Sequence, residues 1–63
     1  MSKKLVNTIK QLGRLKGKTI KEIGEESGVG ANTIYRWDKV EPKISTLKKV
    51  ADYLDVDYKA LLP

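Results

Sequence analysis

Residues 19–39, TIKEIGEESGVGANTIYRWDK, predict two short helices joined by a tight turn, around which the other helices of the chain are expected to pack. Thr19 followed by Glu22 forms a capping box, because the hydroxyl and the carboxylate each satisfy an N–H group at the start of a helix. The sequence Gly-Val-Gly at 28–30 then ends this helix, since glycine accepts the left-handed dihedral angles of a helix C-terminus. A second helix is predicted over residues 31–39.

The two predicted helices each have an inward and an outward face. The inward positions of the first, spaced by three and four residues, are Ile20, Ile23, Gly24 and Ser27. In the second helix Ile34 and Trp37 point inward, and Val29 fills the angle between the two helices. The outward face of the second helix carries Ala31, Asn32, Tyr35 and Arg36. We expect Trp37 in the core rather than on the surface as a platform for stacking bases.

A further helix is predicted before this pair, over residues 4–16. Its apolar stripe consists of Leu5, Ile9 and Leu12, widened by Val6 or Leu15. Gly13 costs the helix about 1 kcal/mol relative to alanine, so a neighbouring element is expected to pack closely at this position. Gly17 ends the helix.

Two more helices are predicted after the pair. Pro42 requires the preceding helix to have ended by Val40, because proline lacks an N–H and disfavours helical dihedral angles in the residue before it. Residues 44–54 then form a helix whose inward side chains are Ile44, Leu47, Val50, Ala51 and Leu54. Asp57 is the predicted N-cap of a last helix over residues 58–62. Since no strand pattern is visible, the sequence predicts an all-α single domain of five helices over residues 1–63.

The composition excludes several classes of function. The sequence has no cysteine and no histidine, which leaves no disulfide, thiolate or imidazole for metal binding or catalysis. Helix geometry separates Asp52 and Asp55 from Asp57, and Glu25 and Glu26 are interpreted as exposed charges that favour solubility. We therefore expect no enzyme activity, no metal site and no cofactor.

No stretch of the sequence suits a membrane. No apolar run approaches the roughly 18 residues that a spanning helix needs. The basic residues near the N-terminus are not followed by the continuous apolar segment of a signal peptide. The sequence therefore favours a cytoplasmic protein.

Positive charge is concentrated in the first third of the chain. Lysine and arginine number 13 against 8 acidic residues, which gives a net charge of +5. Residues 1–21 contain no acidic residue and carry Lys3, Lys4, Lys10, Arg14, Lys16, Lys18 and Lys21. This asymmetry favours a polyanionic partner that contacts one side of the domain, although a solvated basic helix would have the same sequence.

Residues 19–39 resemble the helix-turn-helix of the phage repressor and Cro family of DNA-binding proteins. The residues that carry the resemblance are Gly24 where the helices cross, Gly28 and Val29 in the turn, and Ile34 and Trp37 in the second helix. The resemblance continues through PKISTL at 42–47, VADYL at 50–54 and ALL at 60–62, and it covers about residues 9–62. The chain differs at Ile20, where the family often has a phosphate-contacting glutamine, at Gly30, where it often has a capping serine, and in a shorter loop over 38–43, with Val40 where glycine is usual.

The resemblance implies a compact lambda-repressor-like fold that binds double-stranded DNA and regulates transcription, most simply as a phage- or prophage-type repressor that covers a promoter. The N-terminal half of the second helix would enter the major groove, where Asn32 can pair with adenine and Arg36 with guanine. Tyr35 offers its ring to a thymine methyl group or its hydroxyl to a phosphate. The expected DNA-binding residues are Thr19, Ile20, Gly30, Ala31, Asn32, Thr33, Tyr35, Arg36, Lys39 and Lys43. Among them, the N–H groups at 19–20 and 30–31 and the two lysines are expected to contact phosphates.

A second copy of the chain is an expected partner. One recognition helix reads only a few base pairs, so we expect two copies on an inverted-repeat operator. The candidates for the contact between copies lie near the C-terminus and are Tyr53, Tyr58, Leu61 and Leu62. Since Leu61 or Leu62 must also close the core, the free homodimer is expected to be weak.

A different class of function remains open at this point. A helix-turn-helix can also serve as a protein-interaction module, for example in an antitoxin or an adaptor. Such a surface would show clustered apolar anchors, whereas the outward face here carries Asn32, Tyr35 and Arg36. The polar, cationic face therefore favours DNA.

Overall fold

The computed structural model describes residues 3–61, and within that range it contains helices and no strand. The four α-helices are α1 (Lys3–Lys16), α2 (Ile20–Ser27), α3 (Ala31–Arg36) and α4 (Ile44–Tyr53), and a 3₁₀ helix (Tyr58–Leu61) follows. The all-α prediction is confirmed for these residues, with the fifth helix being a 3₁₀ helix rather than an α-helix. None of the described helices has both the length and the apolar character needed to cross a membrane.

One apolar cluster forms the core and draws side chains from all five helices. Its members are Leu5, Val6, Ile9, Ile20, Ile23, Ile34, Trp37, Leu47, Val50, Ala51, Leu54 and Leu61. Val29 packs against this cluster from the turn between α2 and α3. Trp37 is only 3% exposed, which confirms the prediction that its ring belongs to the core.

The α1 helix packs on α2 through a glycine. A Cβ atom at Gly13 would lie 2.6 Å from Cδ1 of Ile23 and 2.8 Å from the carbonyl oxygen of Lys18, so the predicted close packing is confirmed. Gly13 also continues the buried stripe one turn beyond Ile9. Leu15 therefore falls outside the stripe and is 85% exposed, so of the two alternatives Val6, which is 8% exposed, is the residue that widens the stripe.

The start of α2 and the turn after it follow the sequence signals. The N–H of Glu22 donates to Oγ1 of Thr19 at 3.2 Å, and the N–H of Thr19 donates to Oε1 of Glu22 at 3.0 Å, which confirms the capping box. Gly28 closes α2 with a left-handed φ of 86°. The N–H of Gly30 then donates to the carbonyl oxygen of Gly24 at 2.8 Å, so the backbone itself holds the turn in place.

The crossing of α2 and α3 requires a residue without a side chain. A Cβ atom at Gly24 would lie 2.6 Å from Cα of Ala31 and 2.6 Å from the carbonyl carbon of Gly30. These are backbone atoms, which cannot rotate away as a side chain does. The first turn of α3 therefore lies directly on the backbone of α2, and the angle between the two helices is fixed at this point.

The α3 helix is shorter than predicted. It ends at Arg36, and the predicted continuation to Lys39 is wrong. The N–H of Trp37 donates to the carbonyl of Ile34, and that of Lys39 to the carbonyl of Arg36, each at 3.0 Å. These bonds span three residues rather than four, so the chain tightens into turns as soon as the Trp37 side chain has reached the core.

One inward assignment in the α4 helix is incorrect. Leu47, Val50 and Ala51 are buried as predicted, whereas Ile44 is 46% exposed. The α4 helix packs against α2 and the 3₁₀ helix, and its first residue remains half-exposed at the end of the loop. Leu54 is buried as the C-cap residue that follows the helix.

The C-terminal segment closes the core by a 3₁₀ turn. Oδ1 of Asp57 accepts from the N–H of Lys59 at 2.9 Å, as the predicted capping role requires. Leu61 is 4% exposed and packs into the core, so it is not a surface residue available to a second copy. Leu62, the other leucine predicted to close the core or to contact a second copy, lies outside the described residues.

Polar contacts fasten the helices to one another at the surface. The hydroxyl of Tyr53 on α4 donates to Oε1 of Glu26 on α2 at 2.5 Å, and Nζ of Lys18 donates to Oε2 of the same carboxylate at 3.3 Å. Nζ of Lys16 pairs with Asp55 at 2.9 Å. Glu26 is therefore a structural link between α2 and α4, and the interpretation of it as a charge for solubility alone is wrong.

Candidate nucleic-acid interface

The outward face of α3 presents the side chains that the sequence indicated. Asn32 and Arg36 are exposed, and Tyr35 is 51% exposed. Ala31 and Thr33 are half-buried at the edges of this face. The opposite side of the helix holds Ile34, which is fully buried, so the two faces of α3 are sharply divided.

An open groove of about 520 Å³ runs between the outward faces of α2 and α3. Its lining consists of Lys21 and Glu25 from α2 and of Gly30, Ala31, Asn32 and Tyr35. Lys21 and Glu25 were not among the predicted site residues. Their spacing of four residues indicates that they share a face of α2. Whether this face lies beside α3 depends on the angle at which the helices cross at Gly24, and helix periodicity does not give that angle.

A second groove, of about 650 Å³, lies on the other side of the α3 face. It is lined by Asn32, Tyr35, Arg36, Asp38 and Lys39. Asn32 and Tyr35 line both grooves and therefore form the ridge between them. Lys39 and Arg36 line this groove together, and Asp38, which is not among the predicted site residues, adds a carboxylate to it.

Within residues 3–61, the cations beside α3 form no ion pair with an acidic side chain. Among residues 3–61, the ion pairs are Lys16–Asp55 and Lys18–Glu26, and neither involves the interface. Arg36, Lys39 and Lys43 are exposed and form no ion pair in this part of the chain. Lys43 occupies the N-cap position of α4, but its side chain forms no capping hydrogen bond with the helix. These charges are consequently available to a polyanion.

Two of the N–H groups that the resemblance assigns to phosphates already have acceptors. The N–H of Thr19 donates to the Glu22 carboxylate and that of Gly30 to the Gly24 carbonyl. The side chain of Ile20 is 4% exposed, so only its backbone can face a ligand. The lysines and the exposed side chains of α3 are therefore the groups best placed to contact a nucleic acid.

The groups on this surface are of the kinds that recognise nucleic acids. In the described residues no group of three or more acidic residues is arranged to hold a metal ion. The surface instead combines amide, phenol and guanidinium groups on one face of a helix with lysines at its margin. Such groups pair with base edges and phosphate oxygens.

Comparison with known proteins agrees with this geometry. A family model described as Helix-turn-helix matches residues 9–61, which is most of the chain and includes α2, the turn and α3. No curated protein and no solved structure matches the chain. The matched family consists of regulators that bind DNA, and both DNA binding and transcription regulation follow for this chain. The chain belongs to the Cro-type helix-turn-helix family.

Proposed function

We propose that the protein is a sequence-specific repressor of phage or prophage type that binds double-stranded DNA and blocks access to a promoter. The observation that carries this proposal is the exposed face of α3, which presents Asn32, Tyr35 and Arg36 with unpaired lysines beside it. The backbone contact at Gly24 holds this face rigidly against α2, and rigid presentation favours discrimination among bases.

The side chains of α3 are assigned to the major groove. Asn32 can form paired hydrogen bonds with N6 and N7 of adenine, and Arg36 with O6 and N7 of guanine. Tyr35 lies on the ridge between the two protein grooves, and its ring is assigned to a thymine methyl group. Ala31 and Thr33 complete the assigned set at the edges of the face.

The remaining contacts are assigned to phosphates. Lys39 and Lys43 lie after α3, and Lys21 lies in the groove on its other side. With α3 in the major groove of DNA, these lysines are placed to contact the phosphate backbones on either side of that groove. Thr19, the backbone of Ile20 and the residues Gly30–Ala31 form the margin nearest α2. Glu25 lines the same groove and is expected to weaken non-specific attraction there.

The base-reading assignment is tested by selecting bound sequences from a random DNA pool and then titrating the variants. Asn32→Ala and Arg36→Ala should each cost about 1–3 kcal/mol of specific binding and relax selection at different base pairs. If both variants weaken binding to selected and random duplexes equally, the assignment is wrong. If the folded protein binds no duplex at all, a protein-interaction module becomes the better account.

The phosphate assignment is tested by the salt dependence of binding. Lys39→Ala or Lys43→Ala should weaken binding to all duplexes alike and reduce the slope of log affinity against log salt concentration by about one unit. Lys59→Ala is the matched control, because Lys59 is exposed on the C-terminal 3₁₀ helix and lines neither groove. An unchanged slope for Lys39→Ala would remove this residue from the assigned contacts.

The proposed operator is an inverted repeat bound by two copies. A single small module buries about 600–1,000 Å² of protein surface on DNA and reads few base pairs. Two-fold pairing doubles the contacts and separates the half-sites by about one helical turn, roughly 34 Å. Sedimentation of the protein with a full site tests this, since a 1:1 complex at saturation would contradict pairing.

A further inference from the structure

The α2 helix carries three glutamates, and two of them have partners within the protein. Glu22 belongs to the capping box, and Glu26 accepts hydrogen bonds from Tyr53 and Lys18. Glu25 is exposed, and its side chain forms no hydrogen bond or ion pair within residues 3–61. No contact in this part of the chain therefore uses the carboxylate at position 25.

Glu25 lies in the groove between α2 and α3 that also contains Asn32. It directly follows Gly24, where the backbone of α2 meets Ala31 in the first turn of α3. Lys21, the other α2 residue of this groove, lies about 6 Å further back along the helix axis. The side chain of Glu25 therefore starts closer than that of Lys21 to the N-terminal half of α3, which is the part assigned to the major groove.

We propose that Glu25 is a specificity-determining residue whose carboxylate accepts a hydrogen bond from the 4-amino group of a cytosine at the edge of the half-site. This inference rests on the proposed function and adds one base to the sequence that the same surface reads. The cytosine belongs to the base pair next to the one assigned to Asn32, on the side of α2.

The chemistry of a carboxylate explains the choice of cytosine. An ionised carboxylate only accepts hydrogen bonds, so phosphate oxygens repel Glu25 and the acceptors of guanine give it no partner. Adenine presents its N6 donor beside the N7 acceptor, and thymine presents an acceptor and a methyl group. Cytosine alone presents an N4 donor without an acceptor of its own beside it. A glutamate that enters the groove opposite any other base is left without a full partner, which weakens binding.

Selection of bound sequences from the random DNA pool with variant proteins tests this assignment. The wild type should select cytosine at a position whose preference survives in Asn32→Ala and Arg36→Ala. Glu25→Ala should lose the preference there, and Glu25→Gln should shift it towards adenine, because an amide pairs with both N6 and N7. Asp52→Asn is the matched control, since it removes an exposed carboxylate from α4, which lines neither groove, and changes the net charge as Glu25→Gln does. Its selected sequence should equal that of the wild type.

A duplex that lacks a single amino group tests the hydrogen bond itself. Pyrimidin-2-one in place of the selected cytosine lacks only the 4-amino group. The wild type and Asp52→Asn should bind this duplex about tenfold more weakly than the unaltered site, which corresponds to about 1.4 kcal/mol. Glu25→Ala should show a much smaller difference, which measures the effect of the base analogue on the duplex alone.

Failure of this assignment and failure of the proposed function give different results. If Glu25→Ala selects the same bases as the wild type, or loses as much affinity on the pyrimidin-2-one duplex, the cytosine contact is overturned and the α3 contacts stand. Tighter binding to all duplexes, equal in Glu25→Gln and Asp52→Asn and without a change in the selected sequence, would likewise show that Glu25 acts only as a surface charge. If the folded wild type selects no sequence, or binds no duplex, the proposed function fails instead.

Discussion

The two ends of the recognition helix α3 are held in different ways. At the N-terminal end, backbone meets backbone, since Ala31 lies on Gly24 and the N–H of Gly30 donates to the Gly24 carbonyl. At the C-terminal end, the Trp37 side chain enters the core and the chain leaves through turns into a loop with exposed apolar residues. The first end is fixed by local geometry and the second by burial of the Trp37 ring in the core, which explains why the sequence predicted the first correctly and extended the second too far.

Removing the tryptophan should break the C-terminal end and give the largest effect. Trp37→Ala is expected to lower the free energy of unfolding by about 3–5 kcal/mol, because it leaves a cavity in the core, where the ring is only 3% exposed. Thermal and urea unfolding followed by circular dichroism measure this loss. Val40→Ala, one turn further along and half-exposed, should stay within about 0.5 kcal/mol of the wild type. A Trp37→Ala variant with an unchanged melting temperature would show that the tryptophan does not anchor this end.

Adding one methyl group should break the N-terminal end. Gly24→Ala places a Cβ atom 2.6 Å from Cα of Ala31, and because backbone cannot yield locally we expect a cost of about 1–3 kcal/mol. Gly28→Asn is the matched control, since no atom lies within 4 Å of a Cβ at Gly28 and asparagine accepts its left-handed φ of 86°. A Gly24→Ala variant as stable as the wild type would show that the close approach of α2 and α3 does not require a glycine at position 24.

The extent to which sequence predicted the fold follows from the same contrast. The capping box at Thr19 and the glycines of the turn act within a few residues, so their structural consequences can be derived from local rules. The error at Ile44, and the choice between Val6 and Leu15 that the sequence left open, have a different origin. Hydrophobic periodicity indicates the direction in which a side chain points, but it does not indicate where the neighbouring helices stop covering that direction.

The candidate site was predictable to a similar degree. Helical periodicity was sufficient to place Asn32, Tyr35 and Arg36 on one exposed face of α3. It was not sufficient to bring Lys21 and Glu25 of α2 beside them, because that requires the crossing angle of two helices. The link between Glu26 and Tyr53 joins residues 27 positions apart and has no local signal at all.

The smallest expected effect concerns the hydrogen bond between Tyr53 and Glu26, which joins α4 to α2, the helix on which the N-terminal end of α3 rests. The hydrogen bond from Tyr53 lowers the pKa of Glu26 below its ordinary value of 4.5, and the bond to Glu26 raises the pKa of Tyr53 from 10.0 to about 12. The glutamate contribution to stability is present above pH 4.5 and is lost as the pH falls through its lowered pKa. The tyrosine contribution is present below pH 10 and is lost as the pH rises towards 12.

Tyr53→Phe should therefore be slightly less stable than the wild type between these two limits, and the difference should shrink at both extremes of pH. Chemical unfolding from acid to alkaline pH measures it. Tyr58→Phe is the matched control, because the Tyr58 hydroxyl forms no hydrogen bond among residues 3–61 while its ring contacts Lys48. Its profile should run parallel to that of the wild type. If the difference in stability between Tyr53→Phe and the wild type is the same at every pH, the hydrogen bond to Glu26 does not hold α4 to α2. Packing of the Tyr53 ring would then hold the two helices together, and the N-terminal end of α3 would depend on the close approach at Gly24.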